Sequence, residues 1–253
     1  MIRESFIFLD KIGKRAEQNI WKQGISCWND FLDKESIKGI SKKRKELFDL
    51  QLLEARRKLL QDDSEYFARL FPKTEHWRLY EHFRDEALFL DIEGNISVIG
   101  LYDGYETKTL VRGFNFDKRL LESIVSNYKI LITFNGSGFD LPLLKGYFNF
   151  IPHIDLRFVC KKIGLEGGLE IIERKLKVKR AEDTFKDDID IAFLWRRWWM
   201  TGERKYIDLL VKYNEEDIIN LKQIADFVIK ELWKKTRACT QEQEVLLQTP
   251  SLT

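Results

Sequence analysis

The chain has 253 residues, of which 44% are hydrophobic and 33% are charged, and its formal net charge is +2. This is the composition of a soluble globular protein with one large domain, or one domain and an appendage, and its balanced charge predicts no particular partner. It has no run of about eighteen apolar residues, which excludes a transmembrane helix, and its N-terminal residues do not predict a secretory signal, which favours a cytoplasmic location. Three widely spaced cysteines, Cys27, Cys160 and Cys239, indicate free thiols in a reducing compartment and match no zinc-binding spacing.

Residues 1–85 are predicted to form an N-terminal helical region, with helices near residues 14–22 and 42–60. Segment 9–25, LDKIGKRAEQNIWKQGI, has the outline of a helix-hairpin-helix element, with a basic glycine turn followed by a helix. Such a turn can direct backbone N–H groups at a phosphate. Because one glycine stands where two are usual, a plain helix–turn–helix packing unit is the alternative.

Residues 38–58 carry a local excess of positive charge, with eight lysines and arginines against three acids. The excess has two interpretations. It is either a surface that contacts phosphates, which dominate nucleic-acid affinity, or the solvated face of a helix.

From residue 86 the pattern changes to short β-rich segments separated by glycine or asparagine turns, which is typical of β-hairpins. These segments are ALFLDIEG, NISVIGLYDG and ETKTLVRGF. Residues 116–128 then predict a helix with Asp117 as its N-cap, and KILITFNG predicts a further strand. Three hairpin strands followed by alternating helices and strands predict a mixed sheet flanked by helices.

The rest of this region, up to residue 236, is predicted to be mainly helical. FDLPLLKGYF, residues 139–148, should be a helix with Pro142 in its first turn, and HIDLRFVCKKIG should be a short strand followed by a helix. Residues from GGLEIIERKL to about Trp233 read as helix. The tail, residues 237–253, lacks a sustained period and is predicted to be flexible.

Acidic residues occur at three notable places. Asp91 and Glu93 stand two residues apart in a predicted strand, so both side chains leave the same face, where like charges repel unless a cation lies between them. Asp140 follows the strand that ends at Asn135, and alone it is typical of a helix cap. Tyr213 and Asp217 stand at i and i+4 of a helix, which alone indicates only an amphipathic face.

Taken in order, these residues form a recognisable set. Asp-x-Glu on a strand, Asn-x-x-x-Phe-Asp at a strand–helix turn and Tyr-x-x-x-Asp on a late helix resemble the three exonuclease motifs of the DEDD superfamily, in the subgroup with tyrosine in the third motif. The segments FNGSGFDLPLL, HIDL, GGLEIIERKL and YNEEDIINL, with a Trp-rich helix, are similar to the YprB-like branch of predicted exonucleases. The resemblance covers roughly residues 87–230.

The resemblance implies an α/β fold with a ribonuclease H-like mixed sheet of three antiparallel strands and then parallel strands. It implies a 3′–5′ exonuclease that cleaves single-stranded DNA with two divalent cations, Mg²⁺ or Mn²⁺, which prefer oxygen ligands. Asp91 would bridge both ions, Glu93 and Asp217 would hold the ion that activates water, and Asp140 would serve the second ion. Tyr213 would orient the attacking water.

The substrate side of the implied site is less specific. Asn135 and Phe139 match the second motif and either contact the substrate or shape the turn. His153 and Asp155 share a strand face and could border the site, and a supporting structural role is the favoured alternative for His153. The alternatives to this function are an RNA exonuclease, a structure-specific endonuclease, or a catalytically inert nucleic-acid binding module.

Three further groups of residues have both a functional and a structural interpretation. Asp187, Asp188 and Asp190 form an acidic loop that either attracts a cation or is solvated and caps a helix. Basic residues of the segment 174–180 could face the incoming strand: Arg174, Lys175, Lys177, Lys179 and Arg180. The tryptophans at 195, 198 and 199 could stack on bases, but their helical spacing favours a place in the core.

Overall fold

The computed structural model describes residues 1–149, 151–180 and 190–238. Contacts along the chain divide it into two compact units: residues 1–83 together with the chain after residue 228, and residues 84–228. The domain bounds inferred from the sequence stay a prediction, and the tail beyond residue 238 lies outside the described residues.

The first unit contains five α-helices in its first 83 residues. They are α1 (Lys14–Trp21), α2 (Trp28–Asp33), α3 (Lys42–Leu60), α4 (Ser64–Leu70) and α5 (Tyr80–Phe83). The helices predicted near residues 14–22 and 42–60 are confirmed. Aromatic side chains dominate the core, because Phe6, Trp28, Phe31 and Phe67 are all almost fully buried.

A buried ion pair fixes α1 in this unit. The Arg78 guanidinium donates to both carboxylate oxygens of Glu17, at 2.8 and 2.9 Å, and neither side chain is more than 1% exposed. Glu17 also accepts hydrogen bonds from the backbone N–H groups of Phe6 and Ile7. Since removing one partner of such a pair costs about 3–5 kcal/mol, Glu17 and Arg78 are structural residues.

The second unit is built on a five-stranded sheet. Its strands are β1 (Ala87–Glu93), β2 (Val98–Tyr102), β3 (Thr107–Val111), β4 (Ile130–Thr133) and β5 (His153–Asp155). Their order is β3-β2-β1-β4-β5, with the first three antiparallel to one another and β4 and β5 parallel to β1. The mixed sheet expected of a ribonuclease H-like fold is confirmed.

Six helices complete the described part of the chain. They are α6 (Lys118–Val125), α7 (Asp140–Leu143), α8 (Leu156–Lys162), α9 (Leu169–Leu176), α10 (Ile191–Thr201) and α11 (Arg204–Ala238). Asp117 caps α6 as predicted, because its carboxylate accepts hydrogen bonds from the N–H groups of Arg119 and Leu120. None of the helices in the described residues is long and apolar enough to cross a membrane.

The helix predicted over residues 139–148 is much shorter than expected. It begins at Asp140 and ends at Leu143. Gly146 has a φ of +81°, which a right-handed helix cannot accommodate, so the chain turns away within one helical turn.

The two faces of β1 have different surroundings. Leu88, Leu90 and Ile92 point into an apolar cluster that includes Leu121 of α6. Asp91 and Glu93 leave the opposite face, where Val98, the register partner of Glu93, belongs to a second apolar cluster with residues of α10 and α11. The alternation of strand side chains therefore places both acids on the α10 and α11 side of the sheet.

Candidate active site

Three carboxylates converge at the end of β1. One ligand oxygen from each of Asp91, Glu93 and Asp217 lies within 4.8 Å of the other two. Asp217 comes from α11 and is 7% exposed, so the site lies between the sheet and this helix. We refer to these three residues as the carboxylate cluster.

Asn214 joins α11 to β1 within the site. Its Nδ2 donates to Asp91 Oδ2 at 2.9 Å. Asp91 is opposite Gly100 in the sheet, and a Cβ atom at Gly100 would lie 2.0 Å from Asn214 Oδ1. Only glycine leaves room there for the asparagine, so Gly100 and Asn214 together fix the orientation of the Asp91 carboxylate.

Asp140 approaches the cluster from the turn after β4. It is 2% exposed, and the backbone N–H of Ile92, between the two acids of β1, partly offsets the rise in the pKa of Asp140. It lies outside the group of three that shares the 4.8 Å spacing. A Cβ atom at Gly136 would lie 2.1 Å from Thr133 Oγ1 and 2.8 Å from Asp140 Oδ2, so the tight turn also depends on a glycine.

These acids resist ionisation when no cation is present. Burial raises the pKa of Asp91 to about 6 and, with the charges of Asp91 and Asp140, raises the pKa of Glu93 to about 8. Burial and the charge of Asp91 likewise raise the pKa of Asp140 to about 8 and hold that of Asp217 well above its usual range. A divalent cation bound between these acids would stabilise their ionised forms and lower their pKa values. A donor set made of carboxylate oxygens alone suits Mg²⁺ or Mn²⁺.

Arg180 supplies the positive charge that contacts this site. Its Nη2 donates to Asp217 Oδ1 at 2.6 Å and to Glu173 Oε2 at 3.0 Å. Glu173, on α9, is itself buried and accepts a hydrogen bond from Asn220 Nδ2 at 2.8 Å. Burial alone would lower the pKa of Arg180, but the charges of Asp217 and Glu173 raise it, so the side chain stays charged.

The same arginine has hydrogen-bonding capacity left over. Its guanidinium carbon lies 5.2 Å from the centroid of the Tyr213 ring, and its Nη1 is buried without a hydrogen-bond partner among the described residues. Arg180 was expected to face an incoming strand, and it turns instead towards the acids.

Tyr213 lies one helical turn before Asp217. Its hydroxyl donates to Glu170 Oε1 at 3.2 Å. Burial and the charges of Asp217 and Glu170 raise the pKa of Tyr213 beyond its usual range, so the phenol keeps its proton at neutral pH. It can therefore orient a polar molecule by hydrogen bonding, and it is a poor general base.

Asp155 shapes the turn of the second motif. Its two oxygens accept hydrogen bonds from the backbone N–H groups of Asn135 and Ser137, at 2.8 and 3.0 Å. Asn135 has a φ of +65°, and its Oδ1 accepts a hydrogen bond from Arg157. Asp155 thus holds the loop in which Asn135 takes up a left-handed conformation that asparagine tolerates better than most residues.

The two other predicted substrate residues differ in exposure. Phe139 is 47% exposed and immediately precedes Asp140. His153 is partly buried, and its Nε2 lies 2.9 Å from Thr133 Oγ1, the hydroxyl that also accepts a hydrogen bond from the Gly136 N–H. Phe139 is therefore open to a ligand, whereas His153 contacts the residue that supports the glycine turn.

The acidic loop and the tryptophans have mixed outcomes. Asp187 and Asp188 lie outside the described residues, and Asp190 caps α10 through a 2.8 Å bond from the Phe193 N–H. Trp195 and Trp198 pack against the apolar cluster of α10 and α11. The expected place in the core is wrong for Trp199, which is 60% exposed, because it stands on the outer side of α10.

Four residues of the site were missed from the sequence: Gly100, Glu173, Arg180 in its present role, and Asn214. Asn214 and Glu173 lie inside the segments YNEEDIINL and GGLEIIERKL, which carry the family resemblance. The sequence therefore indicates that these segments matter but does not predict which residues these two side chains contact. Gly100 read only as part of a hairpin strand. A contact between residues more than a hundred positions apart leaves no local pattern.

The sheet order, with three antiparallel strands followed by two parallel ones, and the acids brought to β1 from the turn after β4 and from α11 define a ribonuclease H-like protein. A family model, RNase_H_2 of the RNase_H superfamily, matches residues 88–229, which is more than half of the chain. The chain therefore belongs to the RNase H superfamily. Searches of curated proteins and of solved structures find no match. Membership indicates a nuclease-type enzyme with a nucleic-acid substrate, and the carboxylate cluster could bind a metal ion.

Proposed function

We propose that this protein is a metal-dependent 3′–5′ exonuclease that hydrolyses the phosphodiester bonds of single-stranded DNA. The observation that carries the proposal is the carboxylate cluster, with ligand oxygens of Asp91, Glu93 and Asp217 within 4.8 Å of one another. The order of the three sequence motifs supports the 3′–5′ exonuclease class, and membership of the superfamily supports nucleic acid as the substrate.

The proposed ligands are four carboxylates acting on two ions, Mg²⁺ or Mn²⁺. Asp91 would be a ligand of both ions. Glu93 and Asp217 would also bind the ion that activates water, and Asp140 would bind the other ion. Two bound ions would supply an activated water and stabilise the charge that develops on the phosphate. Asn214 holds Asp91 for this purpose through its 2.9 Å hydrogen bond, and it acts as a positioning residue.

The remaining residues would orient the attacking water and contact the terminal nucleotide. Tyr213, whose raised pKa keeps it protonated, would orient the attacking water through its hydroxyl. Phe139, half-exposed beside Asp140, would pack against the terminal nucleotide. Asn135 and His153 would border the same position from the turn after β4 and from β5.

The direct test uses purified protein and a single-stranded DNA oligonucleotide labelled at its 5′ end. With Mg²⁺ or Mn²⁺ we expect a ladder of products shortened stepwise from the 3′ end, and with EDTA no products. Asp91→Asn should abolish the ladder and leave binding of the oligonucleotide intact. Asp208→Asn removes an exposed acid from α11, away from the cluster, and should leave the ladder unchanged.

Other outcomes would redirect the proposal. Faster degradation of an RNA oligonucleotide would identify an RNA exonuclease, and internal cuts in branched or flapped DNA would identify an endonuclease on the same site. Wild-type protein as inactive as Asp91→Asn on every DNA and RNA substrate would refute the enzyme assignment and leave a nucleic-acid binding module.

A further inference from the structure

The outer side of α10 carries an unusual group of exposed side chains. Phe193 is 46% exposed, Trp199 is 60% exposed and Met200 is 78% exposed. Arg196 is also exposed and lies between them, since residues 193, 196, 199 and 200 share one side of a helix. We call these four residues the α10 face.

An aromatic side chain from the sheet extends this surface. Phe114, which follows β3, is 69% exposed, and its ring centroid lies 5.5 Å from that of Trp198. Trp199 itself contacts the region of Gly113, where a Cβ atom would lie 3.5 Å from the indole. Clustered exposed aromatics of this kind mark interaction sites, because isolated surface apolar residues are ordinary but contiguous ones are not.

The charge of the same helix indicates the kind of ligand. α10 has the sequence IAFLWRRWWMT, with two arginines and no acid. Arg197 stacks on Tyr206, with its guanidinium carbon 5.4 Å from the ring centroid, and Lys205 lies over the same ring. The first acid after α10 in the sequence is Glu203, and it is already paired with Lys205. No carboxylate among the described residues pairs with Arg196 or Arg197, and flat aromatic surfaces beside such arginines suit bases and phosphates respectively.

The α10 face lies on the same side of the sheet as the proposed catalytic acids. Leu194 of α10 packs in one cluster with Val98, which is the register partner of Glu93. Tyr206 packs edge-on against Phe193 and lies seven residues before Tyr213 on α11. Seven helical residues rise about 10 Å. That distance corresponds to about three stacked nucleotides, at about 3.4 Å for each nucleotide.

We propose that the α10 face binds the single-stranded part of the nucleic acid a few nucleotides upstream of the cleaved 3′ terminus, by stacking bases on Trp199 and Phe193 and pairing a phosphate with Arg196. This inference rests on the proposed nuclease function and adds the surface that holds the strand upstream of the cleaved end. Stacking needs unpaired bases, so the face favours single strands over duplexes. It makes no distinction between DNA and RNA, because every base has an aromatic face.

The test measures binding without catalysis. A fluorescently labelled single-stranded oligonucleotide is titrated with protein in EDTA, and anisotropy gives the dissociation constant. Trp199→Ala should weaken binding about tenfold or more, the effect of losing one stacked base. Trp199→Phe, which keeps a stacking surface, should retain most of the affinity. Phe227→Ala removes a comparably exposed ring, 49% exposed on α11, and should change nothing.

Two further measurements separate stacking from charge and from catalysis. Arg196→Gln should lower the slope of log affinity against log salt concentration by about one. In the presence of Mn²⁺, Trp199→Ala should raise KM for a long single strand while the hydrolysis of a dinucleotide stays at the wild-type rate, because a dinucleotide does not reach the α10 face.

The results distinguish failure of this surface from failure of the nuclease. If wild-type protein degrades oligonucleotides and Trp199→Ala binds them as tightly as wild type, the α10 face is refuted and the nuclease stands. If Trp199→Ala binds the oligonucleotide more weakly but neither wild type nor any variant hydrolyses DNA or RNA, the α10 face stands and the nuclease proposal fails. A change from dimer to monomer by light scattering in Trp199→Ala, with affinity unaltered, would assign the face to self-association and overturn the inference.

Discussion

Replacing Arg180 with glutamine tests whether this side chain neutralises the site when no metal ion is bound. The arginine contacts Asp217 at 2.6 Å and Glu173 at 3.0 Å, and the side chains of the three residues are 14%, 9% and 4% exposed, respectively. Glutamine keeps much of the packing and some hydrogen bonding but removes the charge. The substitution therefore leaves two buried carboxylates without their counter-charge.

The size of the effect follows from this burial. Removing one partner of a buried ion pair costs about 3–5 kcal/mol, which protonation of the abandoned carboxylates would reduce. At pH 8 in EDTA we expect a loss of about 3 kcal/mol, or about 6–12 °C in Tm for a chain of this size. At pH 5.5 the loss should be smaller, because Asp217, whose pKa lies well above its usual range, then binds a proton and needs the arginine less.

Thermal unfolding of the metal-free protein, followed by circular dichroism at both pH values, gives the measurement. Mn²⁺ should raise the Tm of Arg180→Gln more than that of wild type, since the ion then supplies the positive charge that the arginine provided beside Asp217. Arg119→Gln, which changes an exposed arginine on α6, is the matched control. If Arg180→Gln unfolds like Arg119→Gln at both pH values, the arginine contributes no neutralising charge and the reasoning fails.

The glycines at the site and its protonation give three more predictions. Gly100→Ala would place a methyl group 2.0 Å from Asn214 Oδ1, so we expect at least a tenfold drop in kcat, which Asn214→Ala should reproduce; an active Gly100→Ala enzyme would disprove the role of this contact. Gly136→Ala should displace Asp140 and so weaken Mn²⁺ binding, measured by calorimetry. The control is Gly138→Ala in the same turn, where an added Cβ atom would have no neighbour closer than 3.8 Å and Mn²⁺ should bind normally. Equal Mn²⁺ affinities of the two variants would count against a ligand role for Asp140. In EDTA, stability should fall as pH rises from about 5 to 8, because two acids with pKa values of about 8 keep protons in the folded state that the unfolded chain has released. Chemical denaturation should show a decrease of several kcal/mol, up to about 8 kcal/mol for the two acids together, at about 1.4 kcal/mol for each acid and each pH unit. Saturating Mn²⁺ should remove the decrease, and a flat profile in EDTA would contradict the raised pKa values.

Local patterns in the sequence predicted the parts of the fold that depend on local physics. Alternation in residues 88–93 is a property of a strand alone, and it placed Asp91 and Glu93 on one face. The N-cap at Asp117 depends on its own helix and was equally accessible. The helix after Asp140 was predicted too long because Gly146 could have been either a helical residue or, as found, a left-handed turn.

The parts that were missed depend on contacts between distant segments. Arg180 and Asp217 are 37 residues apart, and no spacing rule connects them. Trp199 was assigned to the core because helical spacing shows that tryptophans share a helix and does not show which side is covered. The motifs outline the carboxylate cluster, whereas its charge balance and the exposed α10 surface depend on contacts and packing between segments that are distant in sequence.

The buried pair of Glu17 and Arg78 also constrains how this sequence can diverge. The two residues are 61 positions apart, and the loss of either leaves a charge that the core cannot hydrate. Homologues should therefore keep both or replace both, and the two positions should covary more strongly than their neighbours. An uncoupled exchange at either position would mark a lineage in which this helical core has been rebuilt.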